Sequence, residues 1–160
     1  MDKIIANNSI PKSEYWNLIT STLSSYEVRD ISSDGTMKSR FVKDDYFLVN
    51  DTWNINDIGK IPNFIEHVNK YKGTNKNLKF PVKNYNLALE LKFVFYHKLF
   101  NDEISPNTLF DRYKTNLKNL GQFLSEKHPN KHSILDLDVK KTEKEWVWWL
   151  SNKGIKTIQI

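Results

Sequence analysis

The chain has 160 residues, with 24 Lys and Arg against 19 Asp and Glu, a formal net charge of +5 and no cysteine. That length predicts one domain, or one domain with a smaller appendage, and the missing thiols exclude disulfides, thiolate nucleophiles, iron–sulfur clusters and cysteine-bound zinc. No apolar run approaches the roughly 18 residues of a membrane span, and MDKIIANNSIPKSEYW lacks a signal peptide's apolar stretch, so a soluble cytoplasmic protein is expected.

In chain order, Ser13 is placed to cap a helix over residues 14–23, with Tyr15, Trp16, Ile19 and Leu23 on one side at helical spacing. YEVRDI (26–31) and SRFVKDDYFLV (39–49) flank SSDGT, whose Asp34-Gly35 pair is a hairpin signal. The connection is longer than a two-residue turn, which leaves the register open. Trp53 in the following DTWNI is expected to bury against this unit. Residues 1–58 thus read as a small N-terminal α+β unit, a helix and a β-hairpin, with 6 basic and 9 acidic side chains.

Residues 59–83 reverse that charge, setting Lys60, Lys70, Lys72, Lys76, Lys79 and Lys83 against a single acid, Glu66. NFIEHVNKY predicts a short helix ended by Gly73. The rest reads as a basic connector, and Pro81 stops any regular element before the next segment.

Residues 84–160 predict a helical bundle, making the chain mainly α. YNLALELKFVFYHKLF carries apolar residues on both sides, as a helix buried between neighbours does. A second helix opens at Ser105-Pro106, with Leu109, Tyr113, Leu117, Leu120 and Leu124 as its apolar stripe. Lys114 and Lys118 lie four apart on its polar side. Thr142 is placed to cap a third helix, EKEWVWWLSNK, with Gly154 as its stop.

The residues suggest no catalytic set. Pro129 prevents His128 and His132 from forming a helical metal-ligand pair, His67 and His97 stand alone, and the paired aspartates lie in turn-like segments. Gly-rich phosphate loops and Gly-x-Ser-x-Gly elbows are absent. Neither an enzyme, a metal, a cofactor nor a small-molecule substrate is expected. What stands out is charge: residues 59–160 carry 18 basic and 10 acidic side chains, and such asymmetry points to a polyanion, nucleic acid first; a solvated lysine surface is the alternative. Lys114 and Lys118, with Arg112, Thr115, Asn119 and Gln122 around them, form a set suited to phosphates and base edges. In EWVWWL, Trp146 and Trp149 share a face with Leu150 that suits core packing, while Trp148 projects differently, as an anchor for another domain would.

From Asp51 to Thr157 the chain resembles the N-terminal half of tyrosine recombinases, the phage-integrase type. The resemblance is carried by DTWNINDIG, LKFPVKNYNLALELKFVFYHKLF, SPNTLFDRYKTNLKNLGQFLSEKHPN and LDLDVKKTEKEWVWWLSNKGIKT. It implies a SAM-like core-binding bundle that clamps one face of double-stranded DNA in phage or mobile-element integration, alongside other recombinase subunits. Carried over by position, it implies DNA contacts from Arg112, Lys114, Thr115 and Lys118, from Lys79 and Lys83 on the connector, and from Lys153 and Lys156 near the bundle's exit. The family's His-x-x-Arg motif is absent, so the resemblance implies no strand cleavage by these residues; its last bundle helix is expected just after Thr157 and is missing. The alternative reading is a protein-interaction or regulatory module, with Trp146, Trp148 and Trp149 as its interface, or a phage repressor built on the same bundle.

Overall fold

The computed structural model describes residues 12–82 and 84–155. Among them it is mainly helical, with two small antiparallel sheets. Helix α1 (Lys12–Leu23) buries Tyr15, Ile19 and Leu23; Ser13 lies inside it rather than at its cap. Strands β1 (Ser25–Ile31) and β2 (Met37–Lys43) form the predicted hairpin, in a register that pairs Ile31 with Met37 and Val28 with Arg40. Its five-residue tip is organised by Asp34, whose carboxylate accepts hydrogen bonds from the Ser32 hydroxyl and from the Thr36 N–H at 3.1 Å. Those bonds, Ser32's first, hold the Asp34 carboxyl down at about 2, and Gly35 supplies the positive φ of +85° that the turn needs.

The second strand ends earlier than its sequence predicts. At Asp44 the side chain accepts from the Tyr46 N–H at 2.9 Å, and YFLV turns into the short helix α2 (Tyr46–Val49). This drives Phe47 fully into the core, where its ring meets Tyr26, Trp53, Tyr96 and Phe100 edge-on at centroid distances of 5.0–5.9 Å. Strand β3 (Thr52–Asn54) and helix α3 (Ile55–Ile58) follow, then a 3-10 turn at Pro62–Phe64 and helix α4 (Ile65–Asn69). The stretch read as connector also holds strand β4 (Asn77–Lys79), which pairs antiparallel with β3 and sets Trp53 opposite Leu78, both fully buried.

The long helices form as their sequences predict. Asn84 caps α5 (Tyr85–Phe100), its side chain accepting from the Asn86 and Leu87 N–H groups. Ser105 caps α6 (Pro106–Lys127), accepting from the Thr108 N–H at 3.1 Å, with Pro106 in the first turn. Helix α7 (Val139–Asn152) begins a turn before Thr142 because Asp138 is the cap, its carboxylate accepting from the Lys141 N–H at 3.1 Å. It stops at Gly154, φ +70°, where the Gly154 and Ile155 N–H groups bond to the Ser151 and Leu150 carbonyls and Ile155 packs back on the helix.

One hydrophobic core runs through all three predicted segments, from Tyr15 and Phe47 through Ile61 and Phe80 to Phe95 and Leu117. A second, smaller one joins Phe123 and Leu124 of α6 to Trp149 and Leu150 of α7. Several polar contacts tie the N-terminal elements to the bundle, among them a bond from the Tyr96 hydroxyl of α5 to the Ser25 carbonyl. Arg29 of β1 makes a bidentate pair with Asp102 in the α5–α6 turn at 2.7 and 3.1 Å. Lys92 of α5, 1% exposed, donates to the Leu48 carbonyl at 3.0 Å and approaches Asp51 at 3.4 Å; burial pushes its ammonium below the usual lysine range.

The central tie is Glu90 of α5, fully buried, which accepts from the Tyr15 hydroxyl, from Ser133 Oγ at 2.9 Å and from the Ile134 N–H at 3.0 Å. Burial raises its carboxyl above the ordinary 4.5, against the lowering pull of the three donors. A raised folded-state value means that Glu90's contribution to stability is complete below 4.5 and is lost as pH rises through the raised value. Glu90→Ala, which strands three donors, is expected to cost about 3 kcal/mol. Glu90→Gln, whose carbonyl can serve Ile134 and whose amide can serve the two hydroxyls, is expected to stay within about 1 kcal/mol of wild type. In urea denaturation at stepped pH, wild type should lose stability relative to Glu90→Gln above 4.5; a constant difference would show that Glu90 does not titrate differently on folding.

Candidate nucleic-acid interface

Helix α6 is two-sided. Leu109, Phe110, Leu117, Phe123 and Leu124 are buried, while Lys114, Thr115, Lys118 and Gln122 are exposed along the opposite side, as a repeat of 3.6 residues per turn requires. Arg112 is also exposed, but six residues of helical rotation carry it roughly a third of the way around the helix from Lys118. Asn119, expected beside Lys118 on the polar side, is 8% exposed, so its amide is not presented with the lysines.

The segment after α4 runs along this helix. Tyr71 donates to Asp111 at 3.0 Å, Asn75 accepts from Lys114 Nζ at 3.4 Å, and the Pro81 carbonyl lies against Gly121. Strand β4 sits between those anchors, Leu78 turned inward and Lys79 outward. The fold thereby brings Lys79 alongside the stretch of α6 that carries Lys114 and Lys118. Lys76 joins them, its ammonium 5.2 Å from the centre of the Tyr71 ring. Asp111, the acid on this side of α6, is engaged by Tyr71, whose hydroxyl is pushed up to about 12 by burial and by that carboxylate.

The other predicted site residues lie elsewhere. Lys153, just past α7, is 3.4 Å from Glu126 and 5.5 Å from the centre of the Trp149 ring. Lys83 and Lys156 lie outside the described residues. Of the three tryptophans, Trp149 is 4% exposed and donates its indole N–H to Glu126 at 2.7 Å, Trp146 stacks on it at 5.8 Å, and Trp148 is 69% exposed. The rings of Trp146 and Trp149 are thus spent within the second core, and Trp148 alone offers its face to solvent. His128 faces Glu145 at 3.4 Å and His132 contacts Asn84; no group of three or more metal-ligating side chains forms among the described residues, and none of their helices is long and apolar enough to cross a membrane.

Among the exposed lysines that escaped the reading of the sequence as site residues are Lys76 ahead of β4, Lys127 at the end of α6, and Lys141 and Lys144 on α7. The spacing Lys141, Lys144, Trp148 is a helical stripe, visible only once the helix is started at Asp138 rather than Thr142.

Comparison with known proteins finds a distant relative. Over 111 residues, 69% of this chain, the sequence is 28% identical to transposase B from transposon Tn554 of Staphylococcus aureus, in strains Mu50 and N315 alike. The match covers 18% of those proteins, so the chain spans less than a fifth of their length. No family model and no solved structure matches.

The close fit of the connector on α6 is open to test. A Cβ at Gly121 would stand 2.5 Å from the Pro81 carbonyl oxygen and 3.1 Å from its ring, contacts that backbone must move to relieve. Gly121→Ala is expected to cost about 1–3 kcal/mol in urea denaturation. A neutral or stabilising effect would mean that Pro81 does not pack on α6 as described.

Proposed function

We propose that this chain binds double-stranded DNA as a non-cleaving part of a mobile-element recombination system, through the face formed by Lys76, Lys79, Lys114, Thr115 and Lys118. The observation that carries the reading is the convergence of a strand and a helix, distant in sequence, on one lysine-lined surface whose acid, Asp111, is bonded to Tyr71. Lysines spaced along a helix and a neighbouring strand suit a row of phosphates. The distant similarity to a transposase supports a role in DNA recombination. The finer assignment, a core-binding bundle of the tyrosine-recombinase type assembling with other recombinase subunits, rests on the order of elements set out above. No strand cleavage is assigned to these residues.

Fluorescence anisotropy with a random duplex of about 25 base pairs, titrated from 50 to 200 mM salt, tests this. Neutralising roughly five phosphates weakens binding a few hundredfold across that range. Lys114→Ala with Lys118→Ala is expected to weaken binding uniformly across sequences and to lower the salt slope by about 2, with the fold intact. An unchanged slope would remove α6 from the DNA surface.

A further inference from the structure

A second charged surface lies at the other end of α6. There the last turn of α6 and the solvent side of α7 enclose an open groove of about 550 Å³, lined by Lys127, Lys141, Lys144, Lys153 and Trp148. Positions 141, 144 and 148 fall on one stripe of α7, so two ammonium groups and an exposed indole follow one another along the groove. The groove also contains two carboxylates, and both have partners. Glu126 accepts from the Trp149 N–H and faces Lys153, which hold its carboxyl below the usual glutamate range; Glu145 faces His128 at 3.4 Å. Lys127, Lys141 and Lys144 make no ion pair among the described residues. With four lysines against two glutamates in its lining, the groove around Trp148 is net cationic.

An aromatic face set among unpaired cations is what a nucleic-acid strand needs, because each nucleotide brings a phosphate and a flat base. The base face decides which form of nucleic acid fits. In a duplex both faces of every internal base are covered by stacking, and an indole on a convex helix meets only edges and phosphates. An unpaired strand leaves its base faces open. We infer that this groove binds an unpaired nucleic-acid strand, with a base stacked on Trp148 and the flanking phosphates held by Lys141, Lys144 and Lys127. The inference is independent of the duplex contact proposed for Lys114 and Lys118.

The test uses a labelled oligothymidylate about 12 nucleotides long, within the span of a single-strand site, followed by anisotropy. Trp148 is exposed, so its replacement leaves the packing intact, which circular dichroism checks. Trp148→Leu keeps apolar bulk without a π-face and is expected to weaken oligonucleotide binding about tenfold. Trp148→Phe should restore most of the loss, and Lys141→Ala with Lys144→Ala should lower the salt slope. Lys114→Ala with Lys118→Ala should weaken oligonucleotide binding far less than Trp148→Leu does, the reverse of their order on the duplex, which separates this site from the duplex face. Equal binding by wild type and Trp148→Leu, or no binding by wild type at low salt, overturns the inference. So does a Trp148→Leu variant that binds the strand normally but loses self-association in sedimentation velocity, which would make Trp148 a protein contact.

Discussion

A buried carboxylate holds the two ends of the described chain together. Glu90 sits in mid-helix with no solvent, where an ionisable group is tolerated only if donors surround it. The donors come from α1 (Tyr15) and from the loop ahead of α7 (Ser133 and Ile134), sequence separations of 75 and more than 40 residues. Apolar packing alone is tolerant of small slides between helices; three directed hydrogen bonds are not. Through Glu90 the position of α7 is referred to the same helix that organises the first core, although the apolar contacts of α7 belong to the second core.

The same economy explains the basic face on α6. Lysine side chains are flexible, so a surface of lysines is defined only as well as its backbone. Here the backbone is fixed by what lies beneath: Leu78 opposite Trp53 in the short sheet, Phe80 against Trp53 at 4.7 Å, and Pro81 seated on Gly121. The residues that set the strand of Lys79 along the helix of Lys118 are thus apolar ones facing the other way.

Much of this was legible in the sequence where structure is local. The Ser105 cap with Pro106 in the first turn, the doubly apolar α5 and the Asp34-Gly35 turn each declare themselves within a few residues. The β3–β4 pair does not: its strands have three residues each and lie 22 residues apart, so Asn-Leu-Lys reads as linker until Trp53 supplies its partner. YFLV has β-favouring composition, yet the Asp44 bond and the pull of Phe47 into an aromatic cluster override it. Asn119 shows the limit of a helical wheel, which gives direction but not what other segments cover. At α7 the error was one turn, since Asp138 and Thr142 are both sound caps; that turn contains Lys141, and with it the groove beside Trp148.

The choice of cation bears on what such surfaces recognise. The chain has 21 lysines and 3 arginines. Arg29 is held bidentately by Asp102, and Arg40 lies 3.4 Å from Asp30; only Arg112 makes no ion pair among the described residues. Arginine's planar fork is the side chain that reads guanine edges bidentately, whereas lysine acts as a point charge that any phosphate satisfies. With two of its three arginines committed to the hairpin and most of its lysines facing solvent, a protein of this composition, on the proposed reading, gains affinity from the nucleic-acid backbone and little discrimination between base sequences. On the proposed reading, sequence choice in recombination falls to other parts of the assembly, and these residues supply grip: one lysine face suited to the regular phosphates of a duplex, and one lysine-and-tryptophan groove suited to a strand whose bases are free.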